Sequence, residues 1–153
     1  MRLLLACALP VGLVGLAGGA AALEPGTPED ILMRYLRALK DNKPADAYDL
    51  VSKAMRQGKE KEVWTKEQQA LMAMADVKIF DFTVYPGKVA GEKAQVPNVL
   101  ESQDKFVNTL GLTEYELYTL RREGGAWKVD EQLLIETPDV PKWFPKDAAK
   151  PPG

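Results

Sequence analysis

The sequence predicts an α+β domain in which N-terminal helices pack on a curved antiparallel sheet. Three observations carry this. Apolar residues recur at helical spacing from Ile31 to Leu39, the period drops to two from Val77 onward, and two alternating runs between Tyr115 and Ile135 meet at Gly124-Gly125. Helices grouped first and strands grouped after them make segregated layers rather than a doubly wound sheet.

The chain opens on an export signal. Arg2 supplies a positive start, Leu3 to Leu16 is apolar, and Ala20-Ala21-Ala22 offers small residues for cleavage, so residues 1–22 read as a signal peptide and Leu23 as the mature start. Two rivals stand beside it. The uncharged run from Leu3 to Leu23 is long enough to span a bilayer if left uncleaved, and Leu4-Leu5-Ala6-Cys7 resembles a lipoprotein cleavage box. A periplasmic or secreted location follows from cleavage, and membrane attachment only from an uncleaved signal.

Thr27-Pro28-Glu29-Asp30 begins the first helix, with Thr27 as N-cap, Pro28 at N1 and two acids complementing the positive end of the dipole. Asp41-Asn42-Lys43-Pro44 breaks it. A short second helix is expected over roughly residues 45–52, with Tyr48 and Val51 inward. Thr65 and Gln68 form a capping-box pattern that predicts a third helix burying Leu71, Met72 and Met74.

In the strands, Val77 and Ile79 share one phase while Phe80, Phe82 and Val84 share the other, which predicts a bulge near Ile79-Phe80. Pro97 lacks a donor, so its strand is expected at a sheet edge or bulged there. Ser102 to Thr113 is a connector expected to close over one end, with Phe106, Leu110 and Leu112 as apolar handles. Gly124-Gly125 tolerates the positive φ of a two-residue hairpin turn, which sets Arg122 opposite Trp127 and Leu120 opposite Val129. The domain is read as residues 23–136. Five prolines fall between Pro138 and Pro152, so residues 137–153 read as an extended or disordered Pro-rich tail, with Trp143-Phe144 expected to dock on the domain.

Composition excludes several chemistries. The whole chain has no histidine, and its one cysteine, Cys7, leaves with the signal. Disulfides, thiolate nucleophiles, Cys/His zinc sites and imidazole bases are therefore outside the mature chain's repertoire. No Ca²⁺-loop pattern is present, and no cofactor is implied. Losing Arg2 takes the net charge from −2 to −3, which disfavours nucleic acid as a partner. The basic cluster Lys53, Arg56, Lys59, Lys61 and Lys66 reads as a solvated surface.

The segments TPEDILMRYLRALKDNKPADAYDLVS (residues 27–52) and YTLRREGGAWKVDE (residues 118–131) resemble the nuclear transport factor 2-like superfamily of cone-shaped domains, and within it the exported bacterial lumazine-binding-like domains. The resemblance covers roughly residues 27–136. It implies a long helix crossed by a short one, and a closing hairpin whose tryptophan plugs the cone. Enzymes of the superfamily work inside the cone, but no Asp-Arg-Asp or Tyr-Asp-Asp set aligns here, so no catalytic residue transfers.

Hairpin phase supplies one candidate site. With strict alternation Glu131 shares a face with Trp127 and Val129 and lies opposite Tyr118, with Arg122 near the rim. A carboxylate in an apolar cavity would be harder to ionise and could act as a base, Tyr118 could donate a hydrogen bond, and Arg122 could hold an anion. Two competing readings apply: one extra residue after Val129 would turn Glu131 to solvent, and Arg122 could lie over Trp127 as a cation–π pair. The sequence therefore supports an exported, non-catalytic domain binding a small apolar ligand or an envelope protein through Tyr118, Arg122, Trp127 and Glu131. The alternatives are a lyase or isomerase using a carboxylate and a tyrosine in the cone, or a self-associating domain forming homodimers.

Overall fold

A computed structural model describes residues 23–148; residues 1–22, with the expected signal peptide, and residues 149–153 lie outside it. Helix α1 (Pro28–Lys40) begins as expected. The Thr27 hydroxyl accepts from the Asp30 amide at 3.3 Å, and Ile31, Leu32, Tyr35 and Leu36 form the buried stripe. α2 (Pro44–Ala47) runs into a single 3₁₀ turn (Tyr48–Leu50), and Val51 ends it fully buried. Ser52 then caps a short helix the periodicity did not reveal, α3 (Lys53–Arg56), through the Met55 amide.

α4 (Lys61–Ala75) differs from expectation. It starts at Glu60 rather than Thr65, so Thr65 lies within the helix and its hydroxyl is buried without a partner among the described residues. The buried anchor is Trp64, edge-on to Tyr48 at 5.8 Å. Leu71 and Met74 are exposed and Met72 is half-buried, because α4 packs by its N-terminal half on α2 and the 3₁₀ turn. Of the basic cluster, Lys53, Lys61 and Lys66 are exposed as expected, with Lys61 on Asp49 at 3.0 Å and Lys66 on Glu62 at 2.7 Å, whereas Lys59 and Arg56 are half-buried and Arg56 lies over the Tyr48 ring at 4.2 Å.

Five strands follow: β1 (Lys78–Val84), β2 (Lys88–Ala90), β3 (Lys93–Gln103), β4 (Thr113–Glu123) and β5 (Ala126–Leu134). The sheet is antiparallel in the order β1-β3-β4-β5, with β2 beside the start of β3. The expected bulge lies between Ile79 and Asp81. Pro97 is expected at an edge or a bulge; β3 is central, but its pairing is interrupted opposite Pro97 between β1 and β2. The Pro97 carbonyl accepts from the Tyr85 amide at 2.9 Å, so its donorless nitrogen faces the interruption between β1 and β2, where no ladder bond is lost. Gly87 sits in that interruption because a Cβ there would lie 2.7 Å from the Gln95 carbonyl.

The core lies between α1 and the sheet's inner face, where Val96, Tyr118, Leu120, Trp127 and Val129 meet Leu32 and Leu36. The hairpin register is as read, with φ of 58° and 79° at Gly124 and Gly125. Residues 137–148 are not extended or disordered. A 3₁₀ turn (Thr137–Asp139) and α5 (Val140–Trp143) lead to Phe144, which is buried on the outer face between Tyr85 and Tyr115 at 5.4 and 5.2 Å. Burial of Val140 and Phe144 against Val99, Tyr85 and Tyr115 contributes to offsetting the chain entropy of ordering this segment.

Candidate functional site

The inner face of β4 carries Glu116, Tyr118 and Leu120 in one phase, and their neighbours in register are Asn98 and Val96 on β3 and Gln132 and Leu134 on β5. The carboxylate inside the cone is therefore Glu116, with no exposed surface. It accepts from Asn98 Nδ2 at 2.8 Å and from Gln132 Nε2. Burial pushes its pKa up, against the opposing pull of Asn98, Gln132 and the Tyr118 hydroxyl. Burial, then the Glu116 charge, holds Tyr118 well above the usual phenol range and raises Tyr35 to about 12. The two rings meet edge-on at 6.2 Å. Both phenols are thus protonated donors throughout the neutral range.

This cluster is chemically a carboxylate with two phenols, but it is closed. Leu120, Val129, Leu32 and Leu36 fill the space beside it, and Gln132 covers it from the solvent side. One buried acceptor, Asn98 Oδ1, has no donor among the described residues.

The four residues singled out from hairpin phase are not brought together. Tyr118 and Trp127 are inside, as expected. Glu131 is exposed and pairs with Thr119 on the opposite face, because the register shifts between Thr119 and Leu120 and Asp130 is the extra residue. Its place opposite Tyr118 is taken by Gln132. Arg122 is exposed and lies over the Trp127 ring at 4.5 Å, the cation–π arrangement. Reading the inner phase of β4 two residues back from Tyr118 reaches Glu116, so the signal for the buried carboxylate was in the alternation.

A second feature lies at the end of the sheet away from the hairpin. A groove of about 580 Å³ is walled by Val107, Leu112, Tyr115, Leu134 and Ile135, with Pro138 of the C-terminal segment closing one side. Its rim carries Asn108, Glu114 and Glu136. The connector 102–113 does not tuck its apolar handles inward: Phe106 is 62% exposed, Leu110 80% and Leu112 62%. Among the described residues no helix is long and apolar enough to cross a membrane.

No family model matches this chain, and no curated protein matches it in sequence. Solved structures do match in shape. A SEC-C motif containing protein from Rhodopseudomonas palustris superposes with a TM-score of 0.54 at 14% identity, over 72% of this chain and 80% of that one. An NTF2-like protein from Cytophaga hutchinsonii gives a TM-score of 0.48 at 16% identity, over 69% of this chain and 93% of its own. The described residues thus share with such structures an α+β fold, helices packed on one face of an antiparallel sheet.

Proposed function

We propose that this chain is an exported, non-catalytic binding domain, akin to the lumazine-binding-like branch of the superfamily, that holds a small apolar ligand in the far-end groove. The observation that carries this reading is the groove itself, about 580 Å³ with five apolar or aromatic walls. That volume is within the roughly 300–1,000 Å³ of small-molecule sites, and apolar walls with a few polar rim groups are their usual chemistry. The absence of histidine from the sequence and the burial of Glu116 behind Gln132 both weigh against the lyase or isomerase alternative.

The reading is tested with a neutral, environment-sensitive naphthylamine dye and the variants Leu134→Glu and Leu112→Glu. Both side chains are exposed at the groove, so the charge abolishes dye binding while melting stays near that of the parent. Val89→Glu, on β2, is the control and binds normally. Parent-like dye binding in both groove variants removes the groove from the proposal.

A further inference from the structure

The connector between β3 and β4 is held in shape by its own polar side chains. Asp104 Oδ1 accepts from the amides of Phe106 and Val107, both at 2.7 Å, and Oδ2 accepts from the Asn108 amide at 3.0 Å. Asn108 then bridges the base of the loop. Its Nδ2 donates to the Ser102 and Leu112 carbonyls at 3.0 and 2.7 Å, and its Oδ1 accepts from the Leu112 amide at 2.8 Å. Gln103 Nε2 donates to the Thr109 carbonyl at 2.9 Å, and the Lys105 amide donates to the Ala75 carbonyl at the end of α4.

This is a built loop, and what it builds is unusual. Phe106, Val107 and Leu110 are 62%, 79% and 80% exposed, while the polar groups face inward and satisfy one another. A loop free to collapse would turn those side chains toward the groove or the sheet; the Asp104 and Asn108 bonds hold them out. Charge narrows the partner. Residues 105–113 carry one charged side chain, Lys105, on a chain whose net charge is −2. Asp104, next to the tip, spends its carboxylate on three backbone amides, which hold its pKa below the usual range. The Lys105 ammonium lies 5.2 Å from the Phe106 ring centre, at the base of the apolar tip.

We propose that residues 105–112 form a prong that inserts into a phospholipid surface, with Phe106, Val107 and Leu110 in the acyl region and Lys105 at the headgroup phosphates. A convex apolar tip above a lone cation is the chemistry a bilayer takes without shape complementarity. A protein partner selects instead for pocketed Tyr, Trp and Arg anchors, none of which lies between Lys105 and Thr113. The apolar tip carries the binding, so association resists salt, since a single lysine contributes little screening-sensitive attraction. The prong shares Val107, Asn108 and Leu112 with the groove, so its test is placed at Phe106 and Leu110, which do not line it.

The test places a tryptophan at the tip in the full chain, as Phe106→Trp and separately Leu110→Trp, and compares each with Val89→Trp, at the opposite end of β3. Emission above the parent's three tryptophans is read with phosphatidylcholine vesicles whose acyl chains are brominated. Insertion shifts the tip emission to the blue and quenches most of it, in low and high salt alike, while the residue 89 probe is unaffected. Equal quenching at all three positions overturns the proposal, because it shows the apolar N-terminal stretch bringing the whole chain to the vesicle. Tip emission that stays water-like with vesicles overturns it too, and tip protection seen only with a host protein assigns the prong to a protein partner. Dye binding at the groove is unchanged in both tip variants, so loss of one site is distinguishable from loss of the other.

Discussion

The two ends of the sheet use similar residues to opposite ends. At the hairpin end Leu120, Trp127 and Val129 lie buried under α1, and the chain ties the helices down with a Val51–Val129 bridge and a Ser52 amide to the Val129 carbonyl at 2.8 Å. At the far end Leu112, Leu134 and Leu110 are equally apolar and more than half exposed. Composition alone does not separate the two; what covers each does. α1 and the segment after α2 cover the first, whereas α4 packs by its N-terminal half and leaves the second open. The closed end carries the folding free energy, and the open end is available for recognition.

The largest expected effect tests that division directly. Trp127 is 5% exposed, and truncation to alanine removes most of an indole from a packed core. Trp127→Ala therefore costs about 3–5 kcal/mol in a urea titration. Leu110→Ala at the open end stays within about 0.5 kcal/mol of the parent. Comparable losses at the two sites would show that the far end is also part of the folding core, and the contrast would collapse.

An intermediate effect sharpens the boundary between the ends, where Glu116 sits. Glu116→Ala leaves Asn98 and the Gln132 amide without their acceptor, a loss of about 1–3 kcal/mol. Glu116→Gln keeps the shape and exposes the pH dependence. The folded-state pKa of Glu116 is raised by burial, so the protonated acid is neutral in both states at low pH. As pH rises past the ordinary glutamate value near ~4.3, the unfolded chain ionises first and the native state loses ground. The loss continues until the pH passes the raised folded value. The parent is thus expected to lose stability relative to Glu116→Gln as pH rises from about 4 up to the raised folded-state pKa, because the amide has no such titration. Parallel pH profiles for the two proteins would show that Glu116 is not desolvated in solution.

Local signals that depend on a few neighbours were legible in the sequence. Thr27 with Pro28 set the start of α1, Gly124-Gly125 set the hairpin, and the phase change at Ile79-Phe80 marked its bulge. What failed depended on long-range packing. The Thr65–Gln68 pattern lost to Trp64, whose burial against Tyr48 and hydrogen bond to the Met55 carbonyl draw the helix start about one and a half turns earlier, from Thr65 to Glu60. The tail reads as extended or disordered by its prolines, yet it forms a 3₁₀ turn and α5; the expected docking of Trp143-Phe144 holds, while the socket for Phe144 is made by Tyr85 and Tyr115, distant from it and from each other in sequence. The candidate site failed for one residue. A bulge adds a single position and reverses every side chain beyond it. Asp130 does this in β5, held by Arg121 Nε at 3.3 Å, and so exchanges Glu131 for Gln132 on the inner face.

The smallest expected effect is at Glu131 itself, and its smallness is informative. With strict alternation it would be a desolvated carboxylate facing Tyr118, and Glu131→Gln would then stabilise the protein while weakening any ligand held there. With the Asp130 bulge in place it pairs with Thr119 and is exposed. A solvated carboxylate has no desolvation cost to relieve, so Glu131→Gln is expected to change stability by less than about 0.5 kcal/mol. Dye binding at the groove should be equally unaffected, since Glu131 is not among its walls. Asp130 is the extra position: deleting it makes the pairs Leu120–Val129 and Thr119–Glu131 consecutive, so Glu131 keeps its outward phase and Gln132 stays opposite Tyr118. In that deletion background Glu131→Gln should again be silent, because the carboxylate stays beside Thr119 on the solvent face. A Glu131→Gln that stabilises the parent but falls silent without Asp130 would show strict alternation through Asp130, and the placement of Gln132 over Glu116 would fall with it.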